Sequence, residues 1–536
     1  MSLVRKFATV GGATLGSRVL GFARETLMAA ALGTGPMADA FYAAFRFPNL
    51  FRRLFAEGAF NAAFVPLFAR EIEAGGVAGA KKFSEEVFGV LFSVLLLLTI
   101  AMELAMPFVI RYAIAPGFAE DPAKLLLTVE LATIMFPYLI CMSLGAMMAG
   151  MLNSLHRYFA AAIAPVFLNI ILVAILVAAW YGGYDGREVG LALAWGVLAA
   201  GLVQLGIVFF AVRRAGVSIG FRRPRLTPSV RRLLWLALPA AITGGITQIN
   251  TLVGTAIASG QAGAVPALNL ADRVYQLPLG VVGVAVGVVL LPELARALRA
   301  GHLVEAGNLQ NRSIEFTLFL TLPAAAALLT MSEPIVRVLY ERGAFLPRDT
   351  AVVAEVLAIF GLGLPAFVLI KAFTPGYFAR EDTRTPMIFA AISVAVNVST
   401  ALWLFPTMGA PGIATAAAVA GWVNASMLLG VLIARGHWAS DAGLLKRIPR
   451  LVVACALMAG AIHLATSWLG PQFDPASPIY IQAAALALIV VGAMILYFAT
   501  AFGLGGADIG MIRRNVRRKG GGNILPPPNQ SNGGTT

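Results

Sequence analysis

Apolar residues along this chain fall into long runs punctuated by glycine, proline and clusters of charge. The runs 87–103, 167–180, 190–212, 451–469 and 479–502 each approach or exceed the ~20 residues that cross ~30 Å of hydrocarbon. Extending the same reading predicts about fourteen helical spans. They lie near 7–32, 38–68, 84–111, 124–152, 158–180, 189–212, 231–258, 264–294, 313–339, 351–378, 386–405, 411–434, 451–469 and 479–503. The expected fold is an all-α integral membrane protein. The first, second and eighth spans depart from the pattern because they carry charge.

Composition excludes a soluble alternative. Of 536 residues, 59% are hydrophobic and only 12% charged, against about 25% charged in soluble chains. Too little polar sequence remains to clothe soluble domains of this length. Cys141 and Cys455 both lie in apolar runs, so a disulfide framework or a metal site is not expected. The four histidines, His156, His302, His437 and His463, sit at loops and helix ends and form no ligand cluster.

The net charge of +14 raises the question of nucleic acid. The distribution answers it. With the N-terminus inside, 27 Lys and Arg fall in inside segments and 6 in outside segments. That bias is the positive-inside pattern of a membrane protein and predicts both termini in the cytoplasm. Arg5 and Lys6 followed by apolar sequence mimic a signal peptide. Arg18 and Arg24 interrupt the run, which marks a retained first helix.

The chain also repeats itself. Gly33 and Gly260 each end a first span, and Pro66 and Pro292 each end a second. Pro137 and Pro365 break a fourth, and Asn169 and Asn397 sit within a fifth. The separations are 227, 226, 228 and 228 positions. Six spans per repeat make the halves parallel, an arrangement of transporters that carry substrate between two lobes near the midplane. The expected division is an N-terminal lobe 1–215, a basic linker 216–230, a C-terminal lobe 231–435, two added spans within 436–504 and a disordered tail 505–536. The tail's basic cluster suits either topology anchoring or contact with anionic headgroups.

Seven basic residues lie inside spans: Arg18, Arg24, Arg46, Arg52, Arg53, Arg273 and Lys371. An arginine at the bilayer centre costs about 3 kcal/mol on insertion scales, so it faces protein or water. The nearby acids, Glu25, Asp39, Glu57 and Asp272, are too few to neutralise them. Guanidinium keeps its proton and binds phosphate through paired donors, so the surplus points to an anionic ligand. Arg18, Arg24, Arg52 and Arg273 are the candidate binding set. Arg46 and Arg53 share a helix face with Asp39 and Glu57, and a structural ion pair is an equal alternative for them. Lys371 is open between a site role and snorkelling. The glycines of span one (Gly11, Gly12, Gly16, Gly21) serve either a bending gate helix or close packing.

The motifs around these arginines carry a resemblance. Gly16-Ser17-Arg18-Val19-Leu20-Gly21-Phe22-Ala23-Arg24-Glu25, Ala38-Asp39-Ala40-Phe41, the stretch from Phe47 through Arg52, Arg53 and Glu57 to Phe60, and Ala271-Asp272-Arg273-Val274-Tyr275 resemble the MurJ (MviN) family. The likeness runs to about residue 505. It implies a lipid II flippase of the multidrug/oligosaccharidyl-lipid/polysaccharide exporter superfamily, V-shaped, with a cationic central cavity in the bacterial inner membrane. It implies pyrophosphate contact at Arg18, Arg24, Arg52 and Arg273, and cavity or gate roles for Asp39, Glu57, Arg53, Gly21 and Ser17. It implies a lipid-tail groove in spans thirteen and fourteen, and action as a monomer beside the cell-wall synthesis machinery. No cofactor is expected. One departure concerns ions. Near Gly254 and Ala401 the nearest polar groups are Thr255 and Asn397, which argues against a sodium site and for the membrane potential as driving force.

A flippase for another polyprenyl-pyrophosphate glycan follows the same charge logic. A cationic-drug antiporter calls for cavity carboxylates and few arginines, the reverse of this chain. A membrane enzyme acting on the pyrophosphate needs a nucleophile, a general base or a metal cluster, and no such constellation stands in these spans.

Overall fold

The computed structural model describes residues 3–52 and 59–506, with the backbone alone for a few helical stretches such as 281–289. Arg53, Glu57 and the tail from 507 lie outside the described residues, and the side chain of Arg52 is likewise undescribed. The described chain is helical. In order the helices are α1 Leu3–Leu32, α2 Pro36–Arg52, α3 Ala59–Val109, α4 Pro122–Met135, α5 Tyr138–Ser154, α6 Tyr158–Ile163, α7 Val166–Gly182, α8 Gly186–Arg214 and α9 Pro228–Ala258. They continue with α10 Ala264–Arg299, α11 Leu303–Thr330, α12 Ser332–Tyr340, α13 Pro347–Phe378, α14 Arg384–Met408, α15 Ala410–Ala434, α16 Ala442–Trp468 and α17 Ile479–Gly503.

Ten segments among the described residues are long and apolar enough to cross a membrane. Each falls on an expected span. The four expected spans outside these ten correspond to α1, α2, α9 and α10, the first two of each half. Large apolar side chains such as Leu104, Trp195, Trp403, Leu457 and Ile495 are more than half exposed. An exposed apolar surface of this extent needs lipid against it.

Local chemistry explains the breaks. Asp121 caps α4 by accepting from the amides of Ala123 and Lys124 at 3.1 Å, with Pro122 at the first helical position. Asp185 and Glu188 form a capping box at the start of α8. Pro137 separates α4 from α5, and Pro165 separates α6 from α7. Between expected spans two and three the chain breaks at Gly76 (φ 59°, ψ −158°), whose non-helical backbone divides α3 into two helices where only glycine sits without strain.

Most of the closest helix pairs are not neighbours in the chain. α1 packs on α7, α2 on α4, α5 on α8, and in the second half α10 on α13 and α13 on α15. The linker before α9 is strapped to α3: Glu85 accepts from Gly220 N at 3.1 Å and from Arg222 Nε at 2.6 Å, and Thr227 donates to Glu86 at 2.9 Å. The added helices attach to the second half. Arg312 on α11 pairs with Glu315 and Asp441, Arg447 on α16 pairs with the same Glu315, and Tyr497 on α17 donates to Phe319 O at 2.7 Å. The largest apolar core lies where the halves meet and includes Phe41, Ile114, Phe118, Leu270, Tyr340 and Phe345.

Candidate functional site

The site begins on α1. Arg24 and Glu25 lie about two turns before the helix ends at Leu32, roughly 12 Å inward at 1.5 Å per residue. Both are buried, at 6% and 2% exposure. Burying charge this deeply is tolerable only with partners. Arg24 pairs with Glu25 and donates from Nη1 to Asn169 Oδ1 on α7 at 3.0 Å. The Tyr42 hydroxyl on α2 donates to Glu25 Oε2 at 2.8 Å. Arg273 on α10 approaches the other oxygen, with Nε 3.3 Å from Glu25 Oε1. One carboxylate therefore serves two guanidiniums from opposite halves of the chain.

These groups line a cleft between α1, α2 and α10, with Leu172 of α7 at its edge. Arg24, Arg46 and Arg273 face Glu25 and Asp272 there, so cations outnumber anions by three to two. Arg24 Nε is buried and has no hydrogen-bond partner among the described residues. The cleft has a further regularity. Its α2 lining is Tyr42, Phe45, Arg46 and Asn49, besides Phe41, and its α10 lining is Asn269, Asp272, Arg273 and Gln276. Each α10 residue stands 227 positions after its α2 partner, the separation of Gly33 from Gly260. On the Gly33–Gly260 separation the two walls match position for position, whereas Arg24 and Glu25 fall on Thr251 and Leu252.

Beyond the cleft, the end of the bundle remote from the N-terminus is sealed. Asp39, fully buried near the start of α2, pairs with Lys124 of α4 and accepts from Gly263 N at 2.9 Å, just before α10. Lys124 also sits over the Phe118 ring, 4.1 Å from its centroid. Thr34 donates to Asp349 at 2.7 Å, and Gly117 N donates to Ser259 at 2.9 Å. Ala344 N donates to Ala30 O at 2.8 Å. Gly33 (φ +60°) and Gly343 (φ +60°) let these turns close. A Cβ on Gly33 would stand 2.4 Å from Ala344 O, and one on Gly343 2.3 Å from Ala30 O.

The expected site residues are thus distributed. Arg24 and Arg273 meet in the cleft, and Arg46 lines it too. Arg18 is exposed on α1, with its guanidinium against Gly280 of α10. Arg52 closes α2. Asp39 belongs to the seal, away from the arginines. Ser17 accepts from Asn169 through its carbonyl at 3.1 Å, and Gly21 makes room for the same amide. Lys371 is exposed on α13.

Lys124, at the start of the fourth expected span, is one of the six basic residues counted as outside; it is buried and bound to Asp39. The Asp121-Pro122 cap was the available signal, because it puts Lys124 in the first turn of a helix. Glu25 and Asn169 were read only as a nearby acid and a repeat marker. Nothing local distinguishes them, since their partners are remote in sequence. Among the described residues no group of three His, Cys, Asp or Glu is placed to hold a metal ion.

The sequence model of the family described as "Lipid II flippase MurJ" matches residues 28–483. The chain belongs to that family. A probable lipid II flippase MurJ from Rhizobium meliloti (strain 1021) is 72% identical over 518 residues, covering 97% of each chain. The corresponding protein of Rickettsia prowazekii (strain Madrid E) is 32% identical over 502 residues, 94% of this chain and 98% of its own. Among solved structures, a lipid II flippase MurJ in an inward closed conformation matches with a TM-score of 0.75, 24% identity, and 95% and 99% coverage of the two chains. An inward-facing multidrug MATE transporter of the MOP superfamily matches with a TM-score of 0.64 at 16% identity, over 78% of this chain and 95% of its own. At these identities the structures show a common fold. The family's architecture is that of a multi-pass membrane transporter.

Proposed function

We propose that this protein is a transporter that flips lipid II, a polyprenyl-pyrophosphate-linked glycan, from the cytoplasmic to the outer leaflet of a bacterial inner membrane. The observation that carries the reading is the cleft in which Arg24 and Arg273, from opposite halves, share the single carboxylate of Glu25. Such a site offers surplus positive charge to an anion and joins the two parts that must move apart. The family names of the chain's relatives supply the substrate.

The mechanism is alternating access. The sealed end is the outer end, both termini are cytoplasmic, and the lipid-linked head enters from the cytoplasmic side. Its pyrophosphate replaces part of the hold that Glu25 has on the two arginines, and the unpartnered Arg24 Nε gains an acceptor. A buried donor left unsatisfied costs about 1–3 kcal/mol, so filling it favours the loaded state. Arg18 extends the cationic path toward the cytoplasm, and the family resemblance adds Arg52 to it. Outward opening then requires the contacts between the halves to part: Gly263 N with Asp39, Thr34 with Asp349, Gly117 N with Ser259 and Ala344 N with Ala30 O. The moving bodies are residues 1–215 and 231–435, joined by the linker 216–230, with a lipid-tail groove within 436–504. The membrane potential drives the cycle without sodium, supplying about 2.3 kcal/mol per charge per 100 mV. The protein acts as a monomer beside the cell-wall synthesis machinery.

The test is depletion in living cells followed by an assay of lipid II exposed on the outer leaflet. Exposure is expected to collapse. Unchanged exposure in a strain lacking any redundant flippase overturns the reading. Single Ala and Lys replacements of Arg18, Arg24, Arg52 and Arg273 refine it: four Ala variants that all flip normally remove the arginines from the substrate path.

A further inference from the structure

We propose that Glu103, on α3 and away from the cleft, is a proton-binding site within the membrane, its carboxyl carrying the proton and donating it in a hydrogen bond to Thr99.

Position comes first. Glu103 lies in the segment Ala63–Ile114, which is long and apolar enough to cross a membrane. Near the end of that segment Arg111 stands over the Tyr112 ring, 5.6 Å from its centroid, a pair suited to the headgroup level. Glu103 is eight residues earlier, about 12 Å deeper at 1.5 Å per residue. The hydrocarbon half-thickness is about 15 Å. Leu97, Ile100 and Leu104 beside it are half or more exposed, and Thr133 on α4 is exposed too. The carboxyl therefore opens toward lipid, where no water solvates a charge.

No cation compensates it either. None of the ion pairs among the described residues includes Glu103. The helices packed on α3 are α4, α5 and α9. On α4, Lys124 is committed to Asp39, and Glu130 pairs with Arg187 at 3.5 Å. α5 carries no charged residue and only Tyr138 and Cys141 as titratable groups. The charged residues of α9 are Arg231 and Arg232, near its start. On α3 itself the other charged residues lie seventeen or more positions before Glu103.

Two orphaned atoms then meet. Glu103 Oε1 is buried without a partner among the described residues, and so is the hydroxyl oxygen of Thr99, a residue only 6% exposed. Other buried threonines of the bundle, Thr128 and Thr321, donate to the carbonyl four residues back at 2.7 and 2.8 Å. Thr99 does not. It precedes Glu103 by four residues, so the two share a helix face, and helical side chains lean toward the N-terminus, which carries the carboxyl onto the hydroxyl. One proton satisfies both atoms: the acid O–H donates to Thr99, and the Thr133 hydroxyl hydrogen-bonds the same carboxyl from α4. The bound proton thus completes a joint between α3 and α4, the helix that supplies Lys124 to the seal. Its loss leaves a bare anion there.

The experiment uses dicyclohexylcarbodiimide, an apolar reagent that couples to a carboxyl only while the acid proton is present. The carboxyl oxygen adds to the carbodiimide carbon, the proton passes to its nitrogen, and acyl transfer leaves an N-acylurea. Purified full-length protein in liposomes is treated over a pH series, and the peptide holding Glu103 is read by mass spectrometry. Glu103 should be labelled at pH 7, and labelling should fall about tenfold per pH unit once the proton leaves. Thr99→Val should bring that fall to lower pH. Glu103→Gln should lose the label and keep its unfolding temperature at pH 7, because the amide offers the same donor and acceptor. A Glu103 that stays unlabelled between pH 6 and 8 overturns the proposal, since the exposed Leu104 and Thr133 leave the reagent a path from lipid. Protection by added sodium at fixed pH also overturns it, because the ligand is then a metal cation. So does a Glu103→Gln protein that unfolds several degrees lower, because the charge itself is then structural.

Discussion

In the first half of the chain, Asn169 on α7 accepts from Arg24 and donates to Ser17, both on α1. In the second half, Asn397 on α14 donates to Asn250 on α9 at 2.9 Å, one position before the counterpart of Arg24. The same joint, fifth span to first span, is thus made twice. One copy is ionic and tied through Glu25 to Tyr42 and Arg273, and the other is a pair of neutral amides. The scaffold needs only the hydrogen bond. The charge in the first copy is an addition, and burying it without a structural need is what marks it as functional.

The largest expected effect separates the two copies directly. Arg24→Ala should reduce lipid II exposure in a depletion strain by a hundredfold or more, since it removes a site contact and strips Glu25 of its nearest partner. Asn250→Ala should change transport by less than about threefold and lower stability by about 1 kcal/mol, the worth of one neutral hydrogen bond. Equal losses in the two variants would break the comparison.

Next comes Glu25→Gln. It leaves Arg24 and Arg273 facing each other with their shared anion gone, and removing one member of a buried pair costs about 3–5 kcal/mol. Thermal unfolding in detergent should show a clear drop. An added pyrophosphate lipid should restore more stability to this variant than to the unaltered protein.

The repeat-equivalent glycines give a third and smaller contrast. Gly33 has φ +60°, and a Cβ there meets Ala344 O at 2.4 Å. Gly260 is not in the left-handed region, and a Cβ there meets the Phe405 ring edge at 3.0 Å. Gly33→Ala should therefore loosen the seal, by about 1–3 kcal/mol of strain. That should raise thiol labelling of a cysteine placed at Thr34. Gly260→Ala should leave such labelling unchanged, because a ring can shift where a backbone carbonyl cannot.

The smallest effect lies in the loop between α13 and α14. Asp382 accepts from the Thr385 hydroxyl at 2.7 Å and its amide at 2.9 Å, and pairs with Arg435. These hydrogen bonds, with Arg435 adding to them, hold its carboxyl down to about 2. A depressed pKa means that the ionised form is the one stabilised by folding. The contribution is present above the ordinary carboxylate range near 3.9 and fades as pH falls toward 2. Asp382 is largely solvated, so the amount is under about 1 kcal/mol. Asp382→Asn should lower the unfolding temperature slightly at pH 7 and leave it unchanged near pH 2.

Much of the architecture was legible beforehand. Ten of the expected span positions were, because a run of ~20 apolar residues has few alternatives to crossing a bilayer. The exceptions are instructive. The break between spans two and three was placed correctly but drawn too long, since helix flanks Gly76 closely on both sides. Lys124 counted among the outside charges, although its place in the first turn of α4 carries it to Asp39, 85 positions away.

By itself the sequence determined the membrane class, most of the span positions and the surplus of arginine within the spans. All of these follow from local hydropathy or from counting. Only the tertiary structure decided which anion holds which cation. Arg24 meets Asn169 across 145 positions, and Glu25 meets an arginine of the other half. It also decided that Asp39 closes one end while Glu25 sits in the cleft, though both are acids of the first two helices. The physical reason is that electrostatic pairing acts over a few ångströms, and distances on that scale are set by how helices pack, which no stretch of local sequence encodes.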